Sequence, residues 1–516
     1  MKNAFLPLTL FATTWAVAQN VTFSEHIAPI IYSACTNCHR NGEIGPMPFT
    51  NYQEVAAFAP TIAQVVQTGY MPPWPPDPGY RPLVGERVLT PQEKQLIVDW
   101  AAAGAPQGNP ALEPALPNFP SGSVLGTPDL VLPMAQKFTT SGNGEDEYRV
   151  FVLPTGLLQD QEVAAFEFRA GNKKIVHHAL MISEHSGIGQ TLDNQSPGYG
   201  YTSFGGFGIP NNQIDDFHGG WAPGLVPSFF PSGTGQLLKA NSNLLLQIHY
   251  APYPLPEADS SYVNVFFRPQ PIARRVENFQ YAYTQLVLPA NLVTKVKRSF
   301  VVPSTKSLIG FMPHAHLIGE EWKLYFRTPQ GDTVPVIHIP KWDFNWQGEY
   351  KPKTMIKVPA GSVFYAECTY DNTATNPNNP NSPPRAITWG EGTEDEMFYF
   401  ILQFLPYQAG DENISLESNG LGTPNRIVGQ KLIKAFPNPA VNKIEMELYF
   451  KEFGKADWEI LDVQGRSVSR STESRFYFPG THRISLDLSS LSAGNYIFVL
   501  QFNGEQLRQS FIKSNN

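Results

Sequence analysis

The chain has 516 residues, room for several domains at the usual size of roughly 100–200 residues each. Hydrophobic residues make up 42% and charged residues only 16%, while 47 Pro and 41 Gly disfavour long helices and favour turn-rich β-structure. The net charge of −8 carries no basic block, which argues against a nucleic-acid partner, because phosphate binding needs clustered Lys and Arg.

Residues 1–18 read as a signal peptide. Lys2 supplies the positive charge, Ala4 to Val17 is largely apolar, and Ala16-Val17-Ala18 offers small residues for cleavage before Gln19. No other stretch is apolar over the ~18 residues a spanning helix needs, so no membrane span is expected. The chain has three cysteines, Cys35, Cys38 and Cys368. Two of them belong to one short motif, which leaves Cys368 as a buried free thiol.

Residues 19–108 have helical character. Apolar residues recur at helical spacing over Glu54 to Tyr70 and Pro91 to Ala103. Thr90-Pro91-Gln92-Glu93 has the make-up of a helix N-terminus, and Gly104 that of a stop. The same region holds Cys35-Thr36-Asn37-Cys38-His39, the C-x-x-C-H signature for attaching a c-type haem. Two thiols can form thioethers to the haem vinyl groups while the adjacent His reaches the iron. The dithiol or zinc alternative lacks a second ligand pair. The far axial ligand is expected to be a thioether or a second imidazole, with Met71, Met47 and His26 as candidates. The segment resembles small bacterial cytochrome c domains, which often carry a Met-Pro-Pro-Trp loop like Met71-Pro72-Pro73-Trp74. That resemblance implies Met71 as the ligand. Haem held on both sides transfers electrons, so any catalysis is expected elsewhere in the chain.

Residues 109–126 form a Pro-rich linker. From 127 to 412 the pattern changes to short β-rich runs broken by Gly, Pro and Asn, among them Tyr148–Pro154, Leu244–Tyr250, Tyr262–Arg268, Trp322–Arg327 and Ser362–Tyr370. This is the signature of antiparallel sandwiches, and its length suits two. Residues 413–430 read as a second linker, and 431–516 as a small all-β unit. The fold class is therefore mainly β, with a helical unit in front.

Four segments between 127 and 412 carry metal chemistry: Val176-His177-His178-Ala179, Gln247-Ile248-His249-Tyr250, Pro313-His314-Ala315-His316 and Asp395-Glu396-Met397. In a strand, residues two apart share a face, so His314 and His316 can bind one ion. Neighbours point to opposite faces, so His177 and His178 need a bulge to share a metal. Imidazoles with one thioether suit copper; zinc rarely takes Met.

In this order, with Trp221-Ala222-Pro223-Gly224 and Cys368-Thr369-Tyr370-Asp371 between them, the segments resemble the type II copper, ascorbate-dependent monooxygenases, the family of dopamine β-monooxygenase and the peptidylglycine α-hydroxylating enzymes. The resemblance implies two jelly-roll-like sandwiches, 127–280 and 281–412, facing across a solvent-filled cleft. It implies two copper ions beside the one haem. His177, His178 and His249 would hold the electron-transfer copper, and His314, His316 and Met397 the catalytic one. It also implies O₂, a small-molecule substrate with an activated C–H bond, and an external reductant, either ascorbate-like or working through the haem. Two positions depart from the peptidylglycine enzymes: Met312 stands where they carry a carboxylate-binding Arg, and Ile401 where they carry a Tyr. A charged carboxylate would be poorly held, which favours a neutral or aromatic substrate. Phe398 replaces the disulfide-forming Cys of the animal enzymes. An alternative reading is a copper and haem electron-transfer protein without hydroxylase activity.

In the last unit, Phe436-Pro437-Asn438-Pro439, Leu461-Asp462-Val463-Gln464-Gly465-Arg466 and Leu491-Ser492-Ala493-Gly494-Asn495-Tyr496 resemble the type A sorting domain of the type IX secretion system. This implies a Bacteroidetes-type bacterium, export through the periplasm to a secreted or cell-surface location, and the secretion machinery as partner.

Overall fold

A computed structural model of the chain describes residues 21–417 and 431–515, apart from 118, 120–121, 204–205, 269–270, 391, 451–453, 463–465, 472–474, 478–479 and 503–504. The expected signal peptide, and 418–430 of the expected second linker, lie outside the described residues.

Helices Ala28–Ala34, Tyr52–Ala57, Ala59–Gln67 and Pro91–Ala102 enclose a core of Phe23, Ile27, Ile31, Val55, Ile62, Val66, Ile97 and Trp100. Thr90 caps the last helix by the predicted pattern: Glu93 N–H donates to its hydroxyl, and the Glu93 carboxylate takes the Thr90 N–H at 2.7 Å. Gly104 ends it at φ +82°. The single helix expected over Glu54 to Tyr70 is two helices meeting at Phe58. Pro60 has no N–H to continue the first ladder, so a new helix starts just before it. The Pro-rich segment is tied at both ends: Tyr32 O–H donates to Glu113 at 2.5 Å, and Val124 N–H donates to buried Glu167 at 2.8 Å.

Next come two five-stranded sheets sharing one core, antiparallel throughout except for the parallel edge pair of Arg274–Arg275 with Thr234–Gly235. One runs in the spatial order Tyr201–Thr202, Glu147–Pro154, Asn243–Tyr250, Val176–Glu184, Asp216–Trp221. Along Asn243–Tyr250, alternation sends Leu244, Leu246, Ile248 and Tyr250 into the sandwich. Leu245, Gln247 and His249 fall on the other face.

The second pair of sheets encloses Trp322, Phe326, Phe364, Phe398, Phe400, Leu402 and Phe404. Its site-bearing sheet has the order Glu277–Ala282, Tyr399–Pro406, Lys306–His314, Ile356–Val358. Cys368 is buried in this core, as expected for a free thiol. The division expected near residue 280 falls inside a strand: Glu277–Ala282 pairs with Tyr399–Phe404 of the second sandwich, whereas Arg274–Arg275 pairs with Thr234–Gly235 of the first. The chain therefore changes sandwich at Val276. No turn signal marks the change, because the crossing is made by one extended segment.

The two sandwiches meet through an apolar seam. Val150, Val152, Ile182, Phe217 and Leu245 of the first pack with Ile401, Met312 and Tyr399 of the second. At the other end of the chain, Lys443–Phe450 pairs with Lys431–Phe436 and Gly480–Asp487, and Gly454–Asp462 with Gly494–Phe502, over a core of Ile444, Met446, Leu448, Ile460 and Phe498.

Candidate metal centres

Strand register builds the first centre. His178 lies directly opposite His249, and the ladder slips by one residue between Val176 and His178. This is the bulge that adjacency demanded: it places His177 beside His178 instead of on the opposite face. The ligand nitrogens of all three rings lie within 4.8 Å of one another. His177 Nδ1 is 3.2 Å from His178 Nδ1, which is 3.4 Å from His249 Nδ1. The opposite ring nitrogen of His249, Nε2, is 2.6 Å from Asp146 Oδ1. An Nε2–H donated to that carboxylate leaves the Nδ1 lone pair facing its two neighbours, the arrangement of a metal-bound imidazole with an orienting carboxylate. Tyr148 stacks on His249 at 4.2 Å. Burial, then the neighbouring His249, lowers His177 to about 4 and holds His178 well below its ordinary value. Neutral imidazole is the form that ligates. Burial pushes the Asp146 carboxyl up, but hydrogen bonds from His249 and Thr393 outweigh it and keep it below the usual range.

The second centre uses a strand end and a loop. His314 ends its strand opposite Tyr399, and His316 follows two residues later. Gln347 Oε1 holds His314 Nδ1, and the Asp395 carbonyl lies 3.1 Å from His316 Nδ1. Both rings thus have Nδ1 engaged, which leaves Nε2 as the nitrogen for a metal. Burial, then the facing His316, lowers His314 to about 3; burial lowers His316 to about 4. The loop is organised by Glu396, which is fully buried. Its carboxylate accepts from the backbone N–H of His316, of Met397 at 2.8 Å and of Ile318 at 3.2 Å. One side chain therefore sets the backbone of two of the three expected ligands. Burial raises the Glu396 carboxyl to about 8, against the pull of these N–H groups. Tyr370 O–H donates to the Met397 carbonyl at 2.7 Å, and Met397 is buried.

Both sets of histidines project into the gap between the sandwiches. The expected open cleft is spanned here by protein. The Phe344 ring lies 5.3 Å from His177 and 5.6 Å from His316, and Thr393 O–H donates to Asp146 at 2.7 Å. Beside this gap a small pocket is lined by Phe217, Phe311, Met312, Glu349, Ile401 and Gln403. The two departing positions, Met312 and Ile401, are cross-strand partners, and both line it. No Arg or Lys lines the pocket, and Glu349 would repel a carboxylate.

In the helical unit, Cys35, Cys38 and His39 occupy one turn, with His39 N–H donating to the Cys35 carbonyl at 2.9 Å. His39 Nδ1 lies 3.0 Å from the Met47 carbonyl, and Phe49 stacks on the ring at 4.5 Å. With Nδ1 so held, Nε2 is left for an iron. Burial pushes the Cys35 thiol up to about 12. These residues fit covalent haem attachment. Of the three candidates for the far ligand, Met47 packs beside the helical core, Met71 is half-buried with its N–H on the Val65 carbonyl at 3.0 Å, and His26 Nδ1 takes the Thr22 N–H at 3.2 Å.

Asp146, Gln347, Glu396 and Phe344 are the site residues that sequence reading did not assign. Glu396 stood in an acidic run beside Met397; nothing set the others apart from ordinary polar or core residues.

No curated protein matches this chain, and no model of a copper monooxygenase or cytochrome c family matches it. Among solved structures, the β-D-glucuronidase of Dictyoglomus thermophilum is 11% identical, with 48% of this chain and 44% of that chain covered at a TM-score of 0.16. The β-D-mannosidase of the same organism is 12% identical, with 42% and 29% covered at 0.13. The VP2 subviral particle of infectious bursal disease virus is 11% identical, with 56% and 75% covered at 0.16. The chain spans less than half the length of the two glycosidases, and likenesses this weak carry no argument. Among the described residues no helix is long and apolar enough to cross a membrane. Residues 434–514 match the family model "Secretion system C-terminal sorting domain", so this part of the chain is a type IX sorting domain, and the protein is exported to a secreted or cell-surface location.

Proposed function

We propose that the protein is a copper-dependent monooxygenase that hydroxylates an activated C–H bond of a small organic substrate with O₂. The observation that carries this reading is the convergence of three imidazoles, His177, His178 and His249, opposite the pair His314 and His316, whose loop Glu396 ties to the backbone of Met397. Copper bound in the two sets would supply O₂ activation and one-electron chemistry.

The protein residues do the rest. Asp146 holds His249 by the Nε2 edge, so the Nδ1 edge faces the ion. Gln347 and the Asp395 carbonyl hold His314 and His316 by the opposite edge. Glu396 keeps the His316 and Met397 backbones together, and three protein ligands leave a position open for O₂. With Met312 and Ile401 in place of charged or hydroxyl groups, a substrate carboxylate would find no partner there, which favours a neutral substrate. Electrons come from an ascorbate-like donor or through a c-type haem at Cys35, Cys38 and His39. The alternative, electron transfer without hydroxylation, gives no use for the open position that three protein ligands would leave.

The test is metal analysis with O₂ consumption on ascorbate-reduced wild type and Met397→Ala, over a panel of phenethylamine-like and benzylic compounds. Two coppers and one haem per chain are expected, with substrate-dependent O₂ uptake that is lost in the variant. Copper content near zero would overturn the reading.

A further inference from the structure

The helical unit that carries the Cys-x-x-Cys-His turn is fastened at two points to the first sandwich, beside the strands that bear the first histidine set. Lys173, four residues before His177, pairs with Glu43, four residues after His39, at 2.5 Å. The same Glu43 oxygen takes Arg40 at 2.5 Å, and all three side chains are mostly buried. On the other side, Arg87 Nη1 donates to the Gly224 carbonyl at 2.9 Å. Gly224 lies three residues beyond Trp221, which pairs with Ala179, the residue next to His178. Gly224 has φ +86°, a conformation that favours glycine, and a Cβ there would stand 2.6 Å from Arg87 Nη1, so a side chain would push the guanidinium aside. The loop beyond Met71 continues the attachment. Trp74 packs edge-on to Tyr350 at 5.8 Å, under the Arg87 guanidinium. Leu83 enters the second sandwich's core, and Val84 N–H donates to the Lys351 carbonyl at 2.8 Å. Ion pairs at a surface are worth little singly. Here a three-way ionic cluster at Arg40 and Glu43, and the Arg87 contact with buried Leu83, hold the helical unit at two separate stretches of its chain.

Building on the proposed function, we infer that the helical unit is an electron donor docked in place on the His177/His178/His249 centre, with Glu43–Lys173 and Arg87–Gly224 as its positioning contacts. A haem held at Cys35, Cys38 and His39 would give up one electron, passing from iron(II) to iron(III), and copper held by the three histidines would take it, passing from Cu(II) to Cu(I). No bond forms or breaks, and an external one-electron reductant restores the haem. Because both sites belong to one chain, transfer is independent of protein concentration, and the contacts quicken it by holding the unit in place instead of leaving it to swing on its linker.

The experiment uses the full chain and the variants Lys173→Glu, Glu43→Lys and the double charge swap. In metal-free protein, amide exchange over residues 37–47 is expected to quicken about tenfold in each single variant and to return in the swap, as a coupled pair requires. In the anaerobic protein loaded with Cu(II), the haem is flash-reduced with a photosensitiser and its ferrous absorbance followed. Decay is expected to be independent of protein concentration, about tenfold slower in the single variants and restored in the swap. Exchange unchanged in both single variants, or decay proportional to protein concentration, overturns the inference. Protein that binds no copper overturns the monooxygenase reading and the transfer step with it, while the exchange result still decides whether the unit is docked.

Discussion

The two candidate metal centres offer opposite edges of the same side chain. In the first, Nδ1 atoms converge and the far edge of His249 is tied to Asp146. In the second, Nδ1 atoms are tied to Gln347 and Asp395, which leaves Nε2 for the ion. Nδ1 sits close to the backbone, so the first centre needs its strands in register and a bulge to bring three backbones near one point. Nε2 reaches farther, so the second centre tolerates a strand end and a loop, but the loop itself must then be fixed. Glu396 does that. Rigidity is a property of the sheet in one centre and of a single buried carboxylate in the other.

If this contrast is right, Glu396→Ala has the largest effect. It leaves buried N–H groups of His316, Ile318 and Met397 without an acceptor, at about 1–3 kcal/mol each. Urea unfolding should show a loss on the order of 3 kcal/mol or more, and metal analysis the loss of the second copper alone. Retention of both coppers at wild-type stability would break the comparison. His249→Ala comes next: one of three ligands goes, the first copper is lost, and the fold is expected to survive because the strand pairing does not depend on the ring. Asp146→Asn is milder. The orienting hydrogen bond weakens, and copper affinity at the first centre alone should fall about 10–100-fold by competition titration.

The smallest effect concerns the seam on which both centres rest. Asp216 sits there with Asn278 Nδ2 donating to it at 3.3 Å, and burial raises its carboxyl to about 7. The folded protein therefore holds a proton that the unfolded chain, near the ordinary value of 3.8, has already released. The stability that this gives is complete below about pH 4 and is lost as pH rises through about 7. Asp216→Asn should remove that loss, raising the unfolding temperature at pH 8 by the equivalent of about 1–2 kcal/mol after allowance for partial exposure, and leaving pH 4 little changed. An equal shift at both pH values would point to packing instead of titration.

Much of the fold was legible. Alternation in Leu244–Tyr250 announced a strand and which residues would face outward, and adjacency of His177 and His178 announced the bulge. The break at Phe58 was missed because the apolar spacing runs through it while Pro60 acts on the backbone. The crossing at Val276 was missed because one extended segment serves both sandwiches. Asp146 lies in a polar turn, Gly144-Glu145-Asp146-Glu147, where nothing distinguishes the acid that meets His249 from those that meet water.

What the sequence by itself determined is local: the Cys35–His39 turn, the faces of the strands, the cap at Thr90, and the export signal in residues 434–514. The tertiary structure alone decided which edge of each imidazole is free, that one buried carboxylate serves two ligands, and that Glu43 meets Lys173. The reason is distance along the chain. His178 and His249 are 71 residues apart, Asp146 and His249 are 103 apart, and Lys173 and Glu43 are 130 apart. Periodicity and propensity act over a few residues, whereas a metal centre is set by whichever side chains the packed sheets bring to one point.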